Sequence, residues 1–556
     1  MSSPETSPVS SELDKSEVEQ APGLAREEEE EKSLGRERRS EEIGQLDANP
    51  RARLRSTRSR SSARSHRSYT DGYTHFGDED EEKQRREAAT AQGAGFTSEL
   101  EFEVSFDGDS DPLSPRNLST LRKWMIVIIV SASSLCVTCA SALYTSTYPQ
   151  LEPEFGVSRE VATLGLTTFV CGLGLGPMFL SPMSEFFGRR NIFICAFGMY
   201  FVWLIPCAVA QNIETMLVVR FFDGLAGSAF LSVAGGTVGD MFPREKLSAP
   251  MMIYTAAPFV GPEVGPVIGG FINQYINWRW SFWVLVIWAG AQWLMIFLLV
   301  PETYGPVILR RKAVQLRKDT GDSRWQAPIE KMNKSVAKTV LWSCIRPFQL
   351  LFFEQMCLNL CLLSAILLGI LYLFFAAFAL IFQNNHGFTL SQVGLSFLGI
   401  FVGMVLGISS DPLWRRNYAR LVRNNGGVSE PEFRLPPTIL GAIIVPISLF
   451  GFAWTTFPWV HWIVPIVFSG FFGLGNIICF SGIFTFLVEC YPLYAASALA
   501  ANSFARSSFA AAFPLFGVQM FERLGYQWAS TLLAFIALAM SPFRKYLALQ
   551  YHGKLC

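Results

Sequence analysis

From Trp124 onward the chain alternates long apolar runs with short polar ones, and each run extends over about 20 residues. At 1.5 Å of rise per residue, a helix of that length covers a hydrocarbon core of about 30 Å. Twelve such runs fit. The first six fall at 124–146, 161–182, 191–210, 215–239, 250–272 and 281–300; the others lie near 356–382, 391–410, 436–456, 460–487, 495–520 and 526–543. The twelfth is interrupted by Pro542 and Arg544 and rests in part on the even count that the charge pattern demands. The pattern predicts an all-α polytopic membrane protein. Residues 124–300 form one six-helix bundle and 356–545 a second, separated by a hydrophilic loop at 301–355, as expected where two bundles rock about a central cavity.

Composition supports this and adds a tail. Half of the 556 residues are hydrophobic, 17% are charged and 47 are Phe, far from the usual quarter charged of a soluble domain. Residues 1–123 differ, with 27 Asp/Glu against 19 Lys/Arg and few apolar side chains. Such a stretch cannot bury enough surface to offset the entropy of ordering, so it is expected to be a disordered cytoplasmic tail. It holds an acidic run, Glu27 to Glu31, and a basic run, Arg51 to Arg67. It is either a solvated spacer or an anchor for anionic lipid released by Ser phosphorylation. With no apolar segment ahead of it, the first span is expected to serve as an uncleaved signal.

Loop charges set the orientation. Arg122, Lys123, Arg189, Arg190, Arg244, Lys246, the stretch from Arg310 to Arg346, and Arg415, Arg416, Arg420 and Arg423 all lie on one side. The opposite loops carry Arg159, Arg279 and Arg523. Both termini, including a short tail at 546–556, are therefore expected in the cytoplasm. Nearly all of the 11 Cys fall inside apolar spans, where a thiol acts as a small hydrophobe. Cys136 and Cys139 have no second pair or His near them, so no metal site is expected.

Three segments carry candidate chemistry, because charges inside a bilayer are costly. Between spans two and three, GPMFLSPMSEFFGRR places Glu185, Gly188, Arg189 and Arg190 where they either form a clasp across cytoplasmic helix ends or simply set topology. In span four, Arg220 and Asp223 stand three residues apart on one helical face. Either they neutralise each other, or Arg220 tunes a carboxylate that loads and releases a proton, or they sit at the interface. In span five, APFVGPEVGPVIGGF spaces Gly261, Gly265 and Gly269 by four and adds Gly270, Pro262 and Pro266. Small residues at that spacing let helices touch backbone to backbone, and proline kinks the rod. Glu263 lies within this seal, as a proton or cation site or as a group bonded to freed backbone.

SPMSEFFGRR, RFFDGLAGS and GPEVGPVIGG, in this order, resemble the major facilitator superfamily, in particular its twelve-span drug:proton antiporter branch. NWRWSFWVLVIW, PETY, RPFQLLFFE, SDPLWRRNYARL and ECYPLYAASALAANSFARSSFAAAFPLFG resemble the fungal members of that branch. The likeness covers about 120–545. It implies the major facilitator fold and proton-driven export by alternating access, with the span-five pattern as an antiporter signature and Arg220 tied to proton coupling. The fungal pattern often carries an acidic residue after YLFF, but Phe375 is followed here by Ala376, which weakens a polycation substrate.

The chain is not expected to be an enzyme or an ATP-driven pump, since its only Gly-Lys pair, Gly553-Lys554, lies outside any phosphate-binding loop. A channel or receptor would explain neither the two equal halves nor the Gly/Pro-rich fifth span. The leading reading is a monomeric plasma-membrane exporter of amphipathic drugs, toxins or secondary metabolites, driven by the proton gradient without a cofactor and binding no nucleic acid. Phe, Trp and Met offer adaptable walls, although Phe also commonly faces lipid. The alternative is a polyamine transporter, which needs several free carboxylates beyond Asp223, Glu263 and Glu489. A sugar importer would need a more polar cavity.

Overall fold

The structure, a computed structural model, describes residues 102–107, 111–243, 246–331, 336–491 and 495–540. The first bundle contains α1 (Thr120–Leu143), a short α2 (Tyr148–Phe155), α3 (Arg159–Phe187), α4 (Arg189–Val209), the end-to-end pair α5 (Ile213–Gly227) and α6 (Ala229–Met241), α7 (Ser248–Tyr275) and α8 (Arg279–Leu299). The central segment folds into α9 (Gly305–Thr320) and α10 (Val336–Phe353). The second bundle contains α11 (Gln355–His386), α12 (Leu390–Ser396) with α13 (Leu398–Ser409), a basic α14 (Asp411–Asn424), α15 (Leu435–Ala453), α16 (Ile463–Cys490), α17 (Ala495–Leu524) and α18 (Tyr526–Met540).

Local signals mark these boundaries. Ser119 accepts from the Arg122 amide at 3.4 Å to start α1, and Asn212 accepts from Thr215 at 2.9 Å to start α5. Gly188 separates α3 from α4 at φ +90°, a left-handed value that favours glycine.

Nine helical stretches among the described residues are long and apolar enough to cross a bilayer. Helices α7 and α17 account for two further expected spans; they are long, but Gly, Pro, Ser and Ala dilute their hydropathy. The twelfth span, expected at 526–543, is helical over its described part, Tyr526–Met540, and its last three residues lie outside the described residues. Burial separates inner from outer rods: the apolar windows of α1 and α11 are 83% and 78% buried, against 44% for α4 and 33% for α8.

The bundles meet along α3, α7 and α10 on one side and α11, α12, α16 and α17 on the other. Toward the end bearing Arg159, contact is close. Thr167 donates to Ala511 O at 2.9 Å, Gln519 to Glu160 at 2.7 Å, and the Ser391 amide to Gln274 at 2.8 Å. A void of about 20 Å³, lined in part by Tyr148, Arg159, Tyr372 and Ala376, is left there. At mid-depth the Ser141 and Tyr372 hydroxyls lie 3.0 Å apart. Toward the end bearing Arg189, the contact is aromatic: Phe259 meets Phe480 with ring centres 4.8 Å apart.

Two sequence expectations need correction. Residues 102–107 and 111–119, assigned to a disordered tail, are folded against the central segment, and the tail's last residues, Thr120–Lys123, begin α1. The Val104 amide donates to Gln326 O and the Gln326 amide to Phe102 O, both at 3.0 Å, Phe102 packs edge-on against Trp325, and Lys312 binds Asp107 at 2.7 Å and Asp111 at 3.4 Å. The alternation in EFEVSF, which a compositional reading averages away, supplies Phe102 and Val104 to this contact. Asp111 also accepts the backbone amides of Asp107 and Leu113, which hold its carboxyl below the usual range. The charged runs at 27–31 and 51–67 lie outside the described residues. The loop at 301–355 is likewise not merely hydrophilic: in α10, Cys344 reaches Met178 O at 3.4 Å and Phe348 meets Phe504, bridging α3 and α17.

Candidate functional site

Helix α5 carries Arg220 and Asp223 into the centre of the first bundle, where both are completely buried. Their charged ends stand 3.6 Å apart. The guanidinium also donates to Gly165 O at 3.4 Å and Ala140 O at 3.3 Å, and lies over the rings of Phe169 at 4.2 Å and Tyr144 at 4.7 Å. The two residues are thus paired and enclosed by the bundle. Neither Asp223 oxygen has a hydrogen-bond partner among the described residues, so Arg220 is its principal compensation.

Glu263 on α7 is also completely buried, and neither of its oxygens has a hydrogen-bond partner among the described residues. The proline-freed backbone does not satisfy it, which removes that alternative. Around Glu263 the glycines do what their spacing predicts. A Cβ on Gly265 would come within 2.7 Å of both Cys139 O and the Leu143 amide, and one on Gly269 within 3.0 Å of Leu143 O, so α7 lies against the α1 backbone. Gly261 meets Thr138 on the same face. Gly270 faces outward from this ridge to Leu390 O at 2.8 Å, and Pro266 lies against Gly394, so the same segment touches both bundles. Pro258, Pro262 and Pro266 are accommodated within one continuous helix.

Arg189 and Gly188 meet partners that their own segment does not contain. Arg189 is buried; it pairs with Asp240 at 3.3 Å, donates to Ser184 at 2.7 Å, and lies over Tyr304 at 5.0 Å. Glu302 Oε1 accepts the amides of Arg189, Thr303 and Tyr304 at 2.9–3.1 Å. A Cβ on Gly188 would collide with that carboxylate. Arg190 instead donates to Phe297 O at 3.0 Å, and Glu185 lies within electrostatic reach of Tyr304. Asp240, Glu302 and Tyr304 were not identified from sequence as clasp members, although PETY had been singled out as a motif.

A half-buried cation was also missed. Arg506 on α17 stands at the seam of the bundles, 5.7 Å from the Phe259 ring and 5.8 and 5.5 Å from those of Phe480 and Phe484. Glu489, named as a cavity carboxylate, is bound instead by Arg434 at 2.7 Å.

A sequence model of the Major Facilitator Superfamily matches residues 130–514. The chain belongs to that superfamily. Over 452 residues it is 58% identical to "Efflux pump atB" of Aspergillus terreus, covering 80% of this chain and 87% of that protein. Over a stretch of the same length it is 40% identical to "Probable drug/proton antiporter YHK8" of Saccharomyces cerevisiae, covering 80% and 88%. The protein thus sits in the fungal drug:proton antiporter branch of the superfamily. The solved structure of the proton:xylose symporter XylE superposes with a TM-score of 0.54 at 14% identity, covering 77% of this chain and 96% of that one, a likeness of fold alone. As a member of the superfamily, the protein is a multi-pass membrane transporter of small molecules and not an enzyme.

Proposed function

We propose that this protein is a proton-coupled exporter of amphipathic organic compounds, drugs or secondary metabolites, working by alternating access. The observation that carries the reading is Glu263. A buried carboxyl without cation or donor is costly to charge, so it carries a proton while sealed and sheds it when water reaches it. Its place on α7, between the α1 ridge and the contact with Gly394 of the other bundle, links that proton to movement of the halves. Arg220 supports the helix next door and compensates Asp223. The Arg189, Asp240 and Glu302 cluster ties the ends of α3, α4, α6 and α8 into one body. By loop charge, the end bearing Arg159 faces outside, so the halves are closed outward, and both termini lie in the cytoplasm.

The transporter works in the plasma membrane as a monomer, with the proton gradient as driver, no cofactor and no nucleic-acid partner. A polyamine substrate fits less well, because Asp223 and Glu489 are already paired and Ala376 stands in for the acidic residue. The test is accumulation of amphipathic compounds in transporter-null cells expressing the chain, with and without an uncoupler. Lower accumulation that the uncoupler abolishes supports the reading; extrusion that ignores the uncoupler sinks the antiport claim.

A further inference from the structure

We infer that the exported compound carries an anionic group and that Arg506 binds it; this rests on the export reading above. Arg220 and Arg506 both lie between the described helices, and their surroundings differ. Arg220 has a carboxylate, two carbonyls and close aromatic faces. Arg506 has no ion pair or hydrogen bond among the described residues, and its Nε is buried without an acceptor. Three phenylalanine rings surround it, each near the outer limit of useful cation–π contact. Rings at that distance do not replace a counterion for a guanidinium taken out of water. The side chain is half-buried, so it remains reachable from the seam.

Unused amides on the two helices that carry Arg506 and two of its rings also point to a ligand. Asn476, one turn before Phe480 on the same face of α16, is completely buried with neither amide atom partnered among the described residues. Asn502, one turn before Arg506, spends its amide nitrogen on Ser364 at 2.6 Å and leaves its oxygen unpartnered. A forked cation, two amides with unused capacity and a wall formed by Phe259, Phe480 and Phe484 suit an apolar body ending in a carboxylate or a comparable anion. A cationic substrate would meet repulsion from Arg506. A neutral one would leave the guanidinium uncompensated.

The experiment expresses the full chain in exporter-deficient cells and measures extrusion of three matched probes: 3-(2-naphthyl)propanoate, its primary amide and the corresponding amine. We expect the wild type to extrude the carboxylate best. Arg506→Gln should lower carboxylate extrusion by about ten-fold or more, the size of one charge-assisted contact, while leaving the amide within about two-fold, and Arg506→Lys should restore much of the loss. Surface abundance and the gel-filtration profile of each variant, with amide extrusion, show whether the variant folds. Preference for the amine or amide, or an equal loss of amide and carboxylate in a well-folded Arg506→Gln, overturns the assignment while export stands. Extrusion of none of the three by the wild type counts against the export reading itself.

Discussion

The two bundles share a fold but handle charge in different ways. In the first, interior charge is largely compensated: Arg220 with Asp223 and Arg189 with Asp240, leaving Glu263 as the buried acid without a partner among the described residues. In the second, the interior is built from phenylalanine. Phe374, Phe378, Phe452 and Phe472 interlock with ring centres 5.0–5.8 Å apart, and Arg506 stands at its edge with no ion pair among the described residues. Much of the aromatic excess is therefore neither lipid coat nor substrate wall but core packing. On the proposed reading, the difference places proton chemistry on one side of the seam and selection of the transported molecule on the other.

The largest expected effect comes from breaking the first bundle's ion pair. Arg220→Met leaves Asp223 buried and uncompensated and should cost about 3–5 kcal/mol, seen as a large fall in the thermal midpoint of the detergent-solubilised protein. Arg220→Met with Asp223→Leu should recover most of that stability. If the double variant stays as unstable as the single one, the pair is not what Arg220 contributes. Next, Gly265→Ala puts a methyl against two backbone groups that cannot step aside; a loss of about 2–3 kcal/mol and of transport is expected. In the second bundle, Phe378→Ala should cost about 2 kcal/mol, less than in a water-soluble core because lipid also shelters the unpacked ring. Its transport should keep the wild-type pH profile, and a changed profile would erase the division between the bundles.

The smallest effect lies outside the membrane. The depressed Asp111 carboxyl contributes stability at pH values above its ordinary range, and this is lost only as pH falls through its lowered native value. Protection of the 102–107 amides, taken relative to their intrinsic exchange at each pH, should therefore be unchanged across neutral pH and fall in strong acid. Protection lost already near neutrality would show that Asp111 does not hold this contact.

What could be read from the sequence was what local spacing encodes. Apolar runs placed the helices, the four-residue glycine rhythm gave α7 a close helix contact without naming α1 as its partner, and three-residue spacing placed Arg220 beside Asp223. What escaped was pairing across distance. Asp240 lies 51 residues from Arg189 and Glu302 lies 113, and no periodicity links such positions. Gln326 meets the segment at 102–104 for reasons equally invisible in a linear chain. Arg506 was hidden differently, among the small residues of ANSFARSS, where a charge reads as an incidental break. Its significance appears only when α7, α16 and α17 bring three rings around it.

The most direct test of the account is the pH dependence of extrusion by Glu263→Gln beside the wild type, from about pH 5 to about pH 8 outside the cell. Proton coupling through Glu263 predicts that wild-type extrusion strengthens as the outside is acidified and that the glutamine variant, present at the surface in equal amount, is slow and flat with pH. A variant that exports like the wild type at every pH would contradict the account and leave Glu263 a packing residue.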